Sequence, residues 1–185
     1  MKHSPKGKPH VGGHADITHL DEGVLNYFKE KFNIKSMLDI GCGPGGMISL
    51  ALSKDIDCYG IDGDYRVKDN NPDRIIIHDF AESYYNHNRT FDLAYSCEFL
   101  EHVEERFIPN YIQSFKTCNH IITTFAPEGT PGHHHVNCKN QEYWIDKFFS
   151  YGFTFDQEIT NEVRTKSTMK RNFIRENGLY FRNNK

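Results

Sequence analysis

In MLDIGCGPGGMI (residues 37–48) three apolar residues and one acid lead into a loop holding four glycines, after which apolar residues resume. A strand that runs into a glycine loop and then a helix is the first unit of an open α/β sheet, and it presents a ligand to the loop. Gly41, Gly43 and Gly46 satisfy G-x-G-x-x-G, a dinucleotide spacing that is weak on its own. Two neighbours argue against a diphosphate. Asp39 sets a carboxylate at the loop mouth, where it repels pyrophosphate and welcomes an ammonium group. Pro44 removes one N–H from a loop that a diphosphate needs rich in donors. The ligand expected here carries positive charge and lies close to backbone.

Outward from this loop, apolar strand-like runs alternate with helical stretches. Strands are expected at 35–40, 57–61, 74–78, 91–96, 120–125, 153–155 and 179–182, and helices at 47–54, 104–117 and 140–151. Val24, Leu25, Tyr27, Phe28 and Phe32 are spaced for an earlier amphipathic helix. Tyr143 and Trp144 read as core. FIRENGLYFRN (173–183) reads as a helix end, a turn at Gly178 and a last antiparallel strand. Such alternation implies a mainly parallel sheet covered by helices on both faces, as one domain over residues 21–185. Residues 1–20, rich in Gly, Pro, Lys and His and without periodicity, are expected to form a flexible arm that orders when something binds. Functional residues should follow the strands, because ligands of such sheets sit beyond the strands' carboxyl ends.

Asp39-x-Gly41-x-Gly43-x-Gly45 resembles the first motif of the class I S-adenosylmethionine-dependent methyltransferases. The resemblance implies a Rossmann-like seven-stranded, mainly parallel sheet with an antiparallel last strand. It assigns Asp39, Gly41, Cys42, Gly43 and Gly45 to the cofactor loop, and Asp62, in YGIDGD with Gly63, to the two ribose hydroxyls. Asp79 and Phe80 fall at the adenine side, and Ser96 at the end of the fourth strand. The competing bland reading makes Asp62 and Asp79 strand-end turn formers.

EFLEHV (98–103) then follows the fourth strand, beside the place where the transferred methyl group should lie. On a helix, Glu98, Glu101 and His102 share one face. After the fifth strand comes TTFAPEGTPGHHHVN (123–137), with His133, His134 and His135 in a loop that can face them. Glu-x-x-Glu-His followed by a loop histidine resembles the metal site of the small-RNA 3′-terminal 2′-O-methyltransferases and, in part, the ubiquinone-biosynthesis O-methyltransferases. That resemblance implies a divalent metal (Mg, Mn, Fe or Zn) held by Glu98, Glu101, His102 and His134, with His102, His134 and His135 as catalytic candidates. An acidic helix start and a surface histidine run are the alternatives.

The expected reaction is O-methylation of a hydroxyl on a small sugar-like or vicinal-diol acceptor. The alternatives are ribose 2′-O-methylation of RNA and metal-independent N-methylation of a small molecule. Less favoured are a catalytically inactive cofactor-binding protein and a nicotinamide-dependent oxidoreductase. Residues 161–185 hold seven Lys or Arg against two Glu, yet no aromatic–basic interleaving of a nucleic-acid surface accompanies them. The formal charge of −3 over 185 residues selects no polyanionic partner. Five scattered cysteines without a Cys-x-x-Cys pair fit a reducing, cytoplasmic setting. Neither a secretory leader, a membrane span nor a protein partner is expected.

Overall fold

The computed structural model describes residues 8–185. One sheet contains β1 (Ser36–Ile40), β2 (Asp57–Asp62), β3 (Ile75–Ile77), β4 (Phe91–Ser96), β5 (Cys118–Thr124), β6 (Phe153–Phe155) and β7 (Gly178–Asn183). The strand order is β3-β2-β1-β4-β5-β7-β6. The first five strands pair in parallel, and β7 lies antiparallel between β5 and β6. This is the Rossmann-like, mainly parallel sheet expected, with the antiparallel strand last in the chain. Strand order reverses between β1 and β4, which opens a crevice beyond their carboxyl ends.

Central strands read as nearly continuous apolar runs because both faces are covered: Met37, Leu38 and Ile40 of β1 have no exposure. On one face pack α1 (Glu22–Phe32), α2 (Gly46–Leu52), α5 (Gln157–Lys166) and α6 (Phe173–Asn177), through Val24, Phe28, Ile48, Val163 and Ile174. On the other pack α3 (Ile108–Lys116) and α4 (Gln141–Ser150), through Tyr111, Phe115, Trp144 and Phe148. Trp144 is core as expected. Tyr143 is not: its hydroxyl reaches outward to Glu105 at 2.6 Å.

Several boundaries differ for local reasons. Pro109 lacks an N–H and fits only the first turn of a helix, so the expected helix over 104–117 splits into a 3₁₀ turn at Glu105–Phe107 and α3. The expectation missed α5, a mostly polar helix with one buried stripe of Ile159, Thr160 and Val163; Asp156 caps it, accepting from Ile159 N at 3.0 Å. Gly178 makes no turn. It is extended (φ −70°, ψ 137°), and α6 runs directly into β7. EFLEHV does not start an α-helix either. Glu98 adopts a left-handed conformation (φ 55°), and only Leu100–His102 form a 3₁₀ turn.

Candidate active site

A cavity of about 430 Å³ opens at the carboxyl ends of β1, β2 and β4. Its floor is the glycine loop, whose Gly41, Gly43 and Gly45 all have positive φ (76°, 48° and 82°), a backbone that L side chains rarely adopt. A Cβ on Gly41 would also strike the Phe99 ring at 2.6 Å. Asp39 projects from β1 into this wall with 3% exposure. Burial, with the negative charge of Asp62 beside it, lifts its carboxyl to about 8. A buried acid held in this way is stabilised as an anion by an incoming cation. Asp62 closes the loop, accepting from Gly43 N and Asp64 N at 2.8 Å each.

The second half of the cavity gathers EFLEHV and the histidine loop. Val136 N and Asn137 N donate to the Glu101 carbonyl at 2.9 and 3.1 Å, and Asn137 Nδ2 donates to Val103 O at 3.1 Å. These three bonds clamp one loop on the other. As a result, ligand-capable atoms of Glu101, His102 and His135 lie within 4.8 Å of one another. The Thr130 carbonyl, 3.0 Å from His135 Nδ1, can only accept, so that nitrogen carries the proton and Nε2 keeps its lone pair. Burial, then the neighbouring His135, lowers His102 to about 4 and leaves its ring neutral at pH 7. Both carboxylate oxygens of Glu101 are buried without a donor among the described residues. The Glu98 carboxyl lies beside them, and it donates only when protonated. Burial first, then the charge of Glu98, pushes Glu101 well above the ordinary carboxylate range. A proton or a cation belongs there.

A family model described as a methyltransferase domain matches residues 13–130, well over half of the chain. The chain belongs to that family. It is a class I methyltransferase dependent on S-adenosylmethionine. Solved structures share its fold at low identity. The methyltransferase domain of bacterial CtHen1 is 19% identical, with a TM-score of 0.60 over 88% of this chain and 95% of that one. The plantazolicin methyltransferase BpumL, in complex with SAH, gives 13%, 0.61, 89% and 82%. Magnesium protoporphyrin IX methyltransferase from Synechocystis PCC 6803, with bound SAH, gives 15%, 0.60, 88% and 81%. No match was found among curated protein sequences.

The methyltransferase cavity brings together most of the residues singled out in the sequence, and leaves four aside: Gly45, Ser96, His134 and the fully buried Glu101. Asp39, Gly41, Cys42, Gly43, Asp62, Gly63, Asp79, Phe80, Glu98, His102 and His135 line it, as does Glu101's neighbour Phe99. Gly45 instead shapes the turn into α2, its N–H bonded to Cys42 O at 3.0 Å. Ser96 is fully buried, and its hydroxyl donates to Ile40 O at 2.9 Å, tying β4 to β1. His134 is not part of the Glu101 group, and its ring lies 6.1 Å from that of His10. The carboxylate of Asp79 is already held, by Lys8 at 2.9 Å and His10 at 3.0 Å. Residues 10–14 and 17–19 of the arm line the cavity, while residues 1–7 lie outside the described residues. The sequence reading overlooked Asn137, Thr130 and Arg171. The -V-N step after the histidines was the visible sign of the clamp, since a buried amide must find partners.

Proposed function

We propose that the enzyme methylates a hydroxyl of a small, sugar-like vicinal-diol acceptor, assisted by a divalent ion at Glu101, His102 and His135. Glu101 carries the reading: a fully buried carboxylate with two unpartnered oxygens beside two imidazoles is a costly arrangement without a proton or a cation, and the imidazoles favour the cation. One carboxylate and two imidazoles suit Mn²⁺, Fe²⁺ or Zn²⁺ better than Mg²⁺. Bound there, the ion would lower the pKa of a hydroxyl and hold two neighbouring oxygens.

The chain's own groups supply alignment. Asp39 takes the cofactor's ammonium, Asp62 the ribose hydroxyls, and Phe80 the adenine face. With His102 and His135 reserved to hold an ion, His133 is the histidine of the loop left at the cavity, and its ring nitrogen would take the acceptor's proton. The oxygen then bonds the methyl carbon while the carbon–sulfur bond breaks, its electron pair staying on sulfur.

The test compares chelator-dialysed enzyme with enzyme given back Mn²⁺, Fe²⁺, Zn²⁺ or Mg²⁺, scoring O-methyl product by mass spectrometry. Equal rates with and without metal, or N-methyl product alone, would overturn the reading. A second reading, the ribose diol at an RNA 3′ end, presents the same two hydroxyls. Against it, Arg171 is the only arginine or lysine among the described residues that line the cavity, where a phosphate track needs several. Competition by short oligonucleotides with a free 3′ diol separates the two. Five unpaired cysteines support work in a reducing, cytoplasmic compartment. Among the described residues no helix is long and apolar enough to cross a membrane.

A further inference from the structure

The segment 167–172, between α5 and α6, contributes Arg171 to the cavity wall. Nearly every other polar group of this segment is used internally. Arg175 donates to the carbonyls of Ser167 (3.3 Å), Met169 (2.7 Å) and Arg171 (3.2 Å). The Thr168 N–H and the Ser167 hydroxyl both donate to the buried Asp21 carboxylate. Met169, 1% exposed, pins the segment to the core. Arg175 is thus consumed in shaping the segment, while the side chain of Arg171 is left solvent-exposed.

That guanidinium lies over the Phe173 ring, 5.3 Å from its centre, and the His19 ring meets Phe173 edge-on at 5.1 Å. Among the described residues no carboxylate comes within ion-pair distance of it. The other basic side chains near the cavity are engaged: Lys8 and His10 on Asp79, Arg66 and His14 on Asp64. The charge of Arg171 does reach Glu98, whose carboxyl it lowers against the effect of burial.

Arg171 is the only arginine or lysine among the described residues that line this cavity, and a neutral diol needs no cation to hold it. A fixed arginine stacked on an aromatic ring is built to receive a carboxylate or phosphate. We infer that Arg171, stacked on Phe173, reads an anionic group, carboxylate or phosphate, carried by the methyl acceptor. This rests on the proposed acceptor class above and narrows it to acidic or phosphorylated diols.

The experiment uses one ring in three charge states: glucose, glucuronate and glucose 6-phosphate. Binding to the full chain with S-adenosylhomocysteine and Mn²⁺ is measured by titration calorimetry, for wild type, Arg171→Gln and Arg171→Lys. Wild type should hold at least one anion about tenfold more tightly than glucose, Arg171→Gln should bring that ratio near one, and Arg171→Lys should keep part of it. Which anion gains tells carboxylate from phosphate. A wild-type ratio near one, a ratio untouched by Arg171→Gln, or no anion binding at all overturns the inference. If Arg171 serves only to offset Glu98, Arg171→Gln shifts Mn²⁺ affinity and leaves the ratio alone, which overturns it too. Repeating the series with chelator separates the two readings: an Arg171-dependent ratio that survives beside chelator-insensitive turnover retires the metal and keeps Arg171.

Discussion

Asp39 is held at a cost. Its folded pKa, about 8, stands above the roughly 3.9 of an unfolded aspartate. The neutral form is therefore favoured in the fold: the contribution is fully present below about pH 4 and is lost as pH rises through 8. Asp39→Asn should stabilise the cofactor-free protein by roughly 3–4 kcal/mol more at pH 8 than at pH 5. It should also weaken S-adenosylhomocysteine binding about tenfold or more, because the ammonium loses its counter-charge. Melting curves at the two pH values and calorimetry check both halves; a variant that loses stability at pH 8 would contradict the account. Gly132 makes a second case. A Cβ there would collide with His135 Nε2. Gly132→Ala should reduce Mn²⁺ affinity about tenfold by moving the ligand, with little change in metal-free melting. Asp39, Glu101 and His102 were legible in the sequence because each lies at or shortly after the carboxyl end of a strand. The choice of His135 over His134 was not, since it depends on Asn137 clamping one loop to another.

At the scale of elements, all seven strands were legible, because a strand buried on both faces leaves an apolar run whatever its neighbours. Helices with a broad apolar face were equally plain. The element that escaped, α5, buries a narrow stripe, and its sign was the Asp156 cap rather than its hydrophobicity. Asp21 shows what such caps are worth here. It has no exposure, accepts from Val24 N at 3.1 Å to start α1, and also accepts from Ser167 Oγ and Thr168 N. Asp21→Ala should cost about 2–4 kcal/mol, beyond the ~1 kcal/mol of an ordinary cap, because two donors far along the chain lose their acceptor. Urea unfolding measures it; a loss no larger than that of Asp156→Ala would mean that the distant bonds contribute nothing.

For the whole molecule, alternation of strands and helices was enough to read the sheet and its covered faces, but not the segment from Lys8 to His19 lying along the cavity. Nothing periodic marks that segment, and its contacts are single side chains such as Thr18, whose hydroxyl accepts from Gly46 N at 3.1 Å. Global stability should also carry a signature of His87, buried with Nε2 2.9 Å from Ser114 Oγ. Burial first, and then His78, lowers its pKa to about 4. The unfolded chain, with a pKa of about 6.5, takes the proton first, so stability is complete above that value and declines as pH falls towards 4. Between pH 7 and 5 the wild type should lose about 1–2 kcal/mol more than His87→Gln. Parallel denaturant titrations of the two proteins decide it; identical slopes against pH would rule His87 out.

Asp21 sits where three parts of the chain meet: the arm ends there, α1 begins there, and the segment bearing Arg171 hangs from its carboxylate. On the proposed binding mode, with the acceptor at Arg171 and the cofactor under the arm, the two would press on a shared joint from opposite sides. Whatever factor one guest adds to the grip on the other must be returned in full when the order of arrival is reversed, and Asp21→Ala should bring that factor to one.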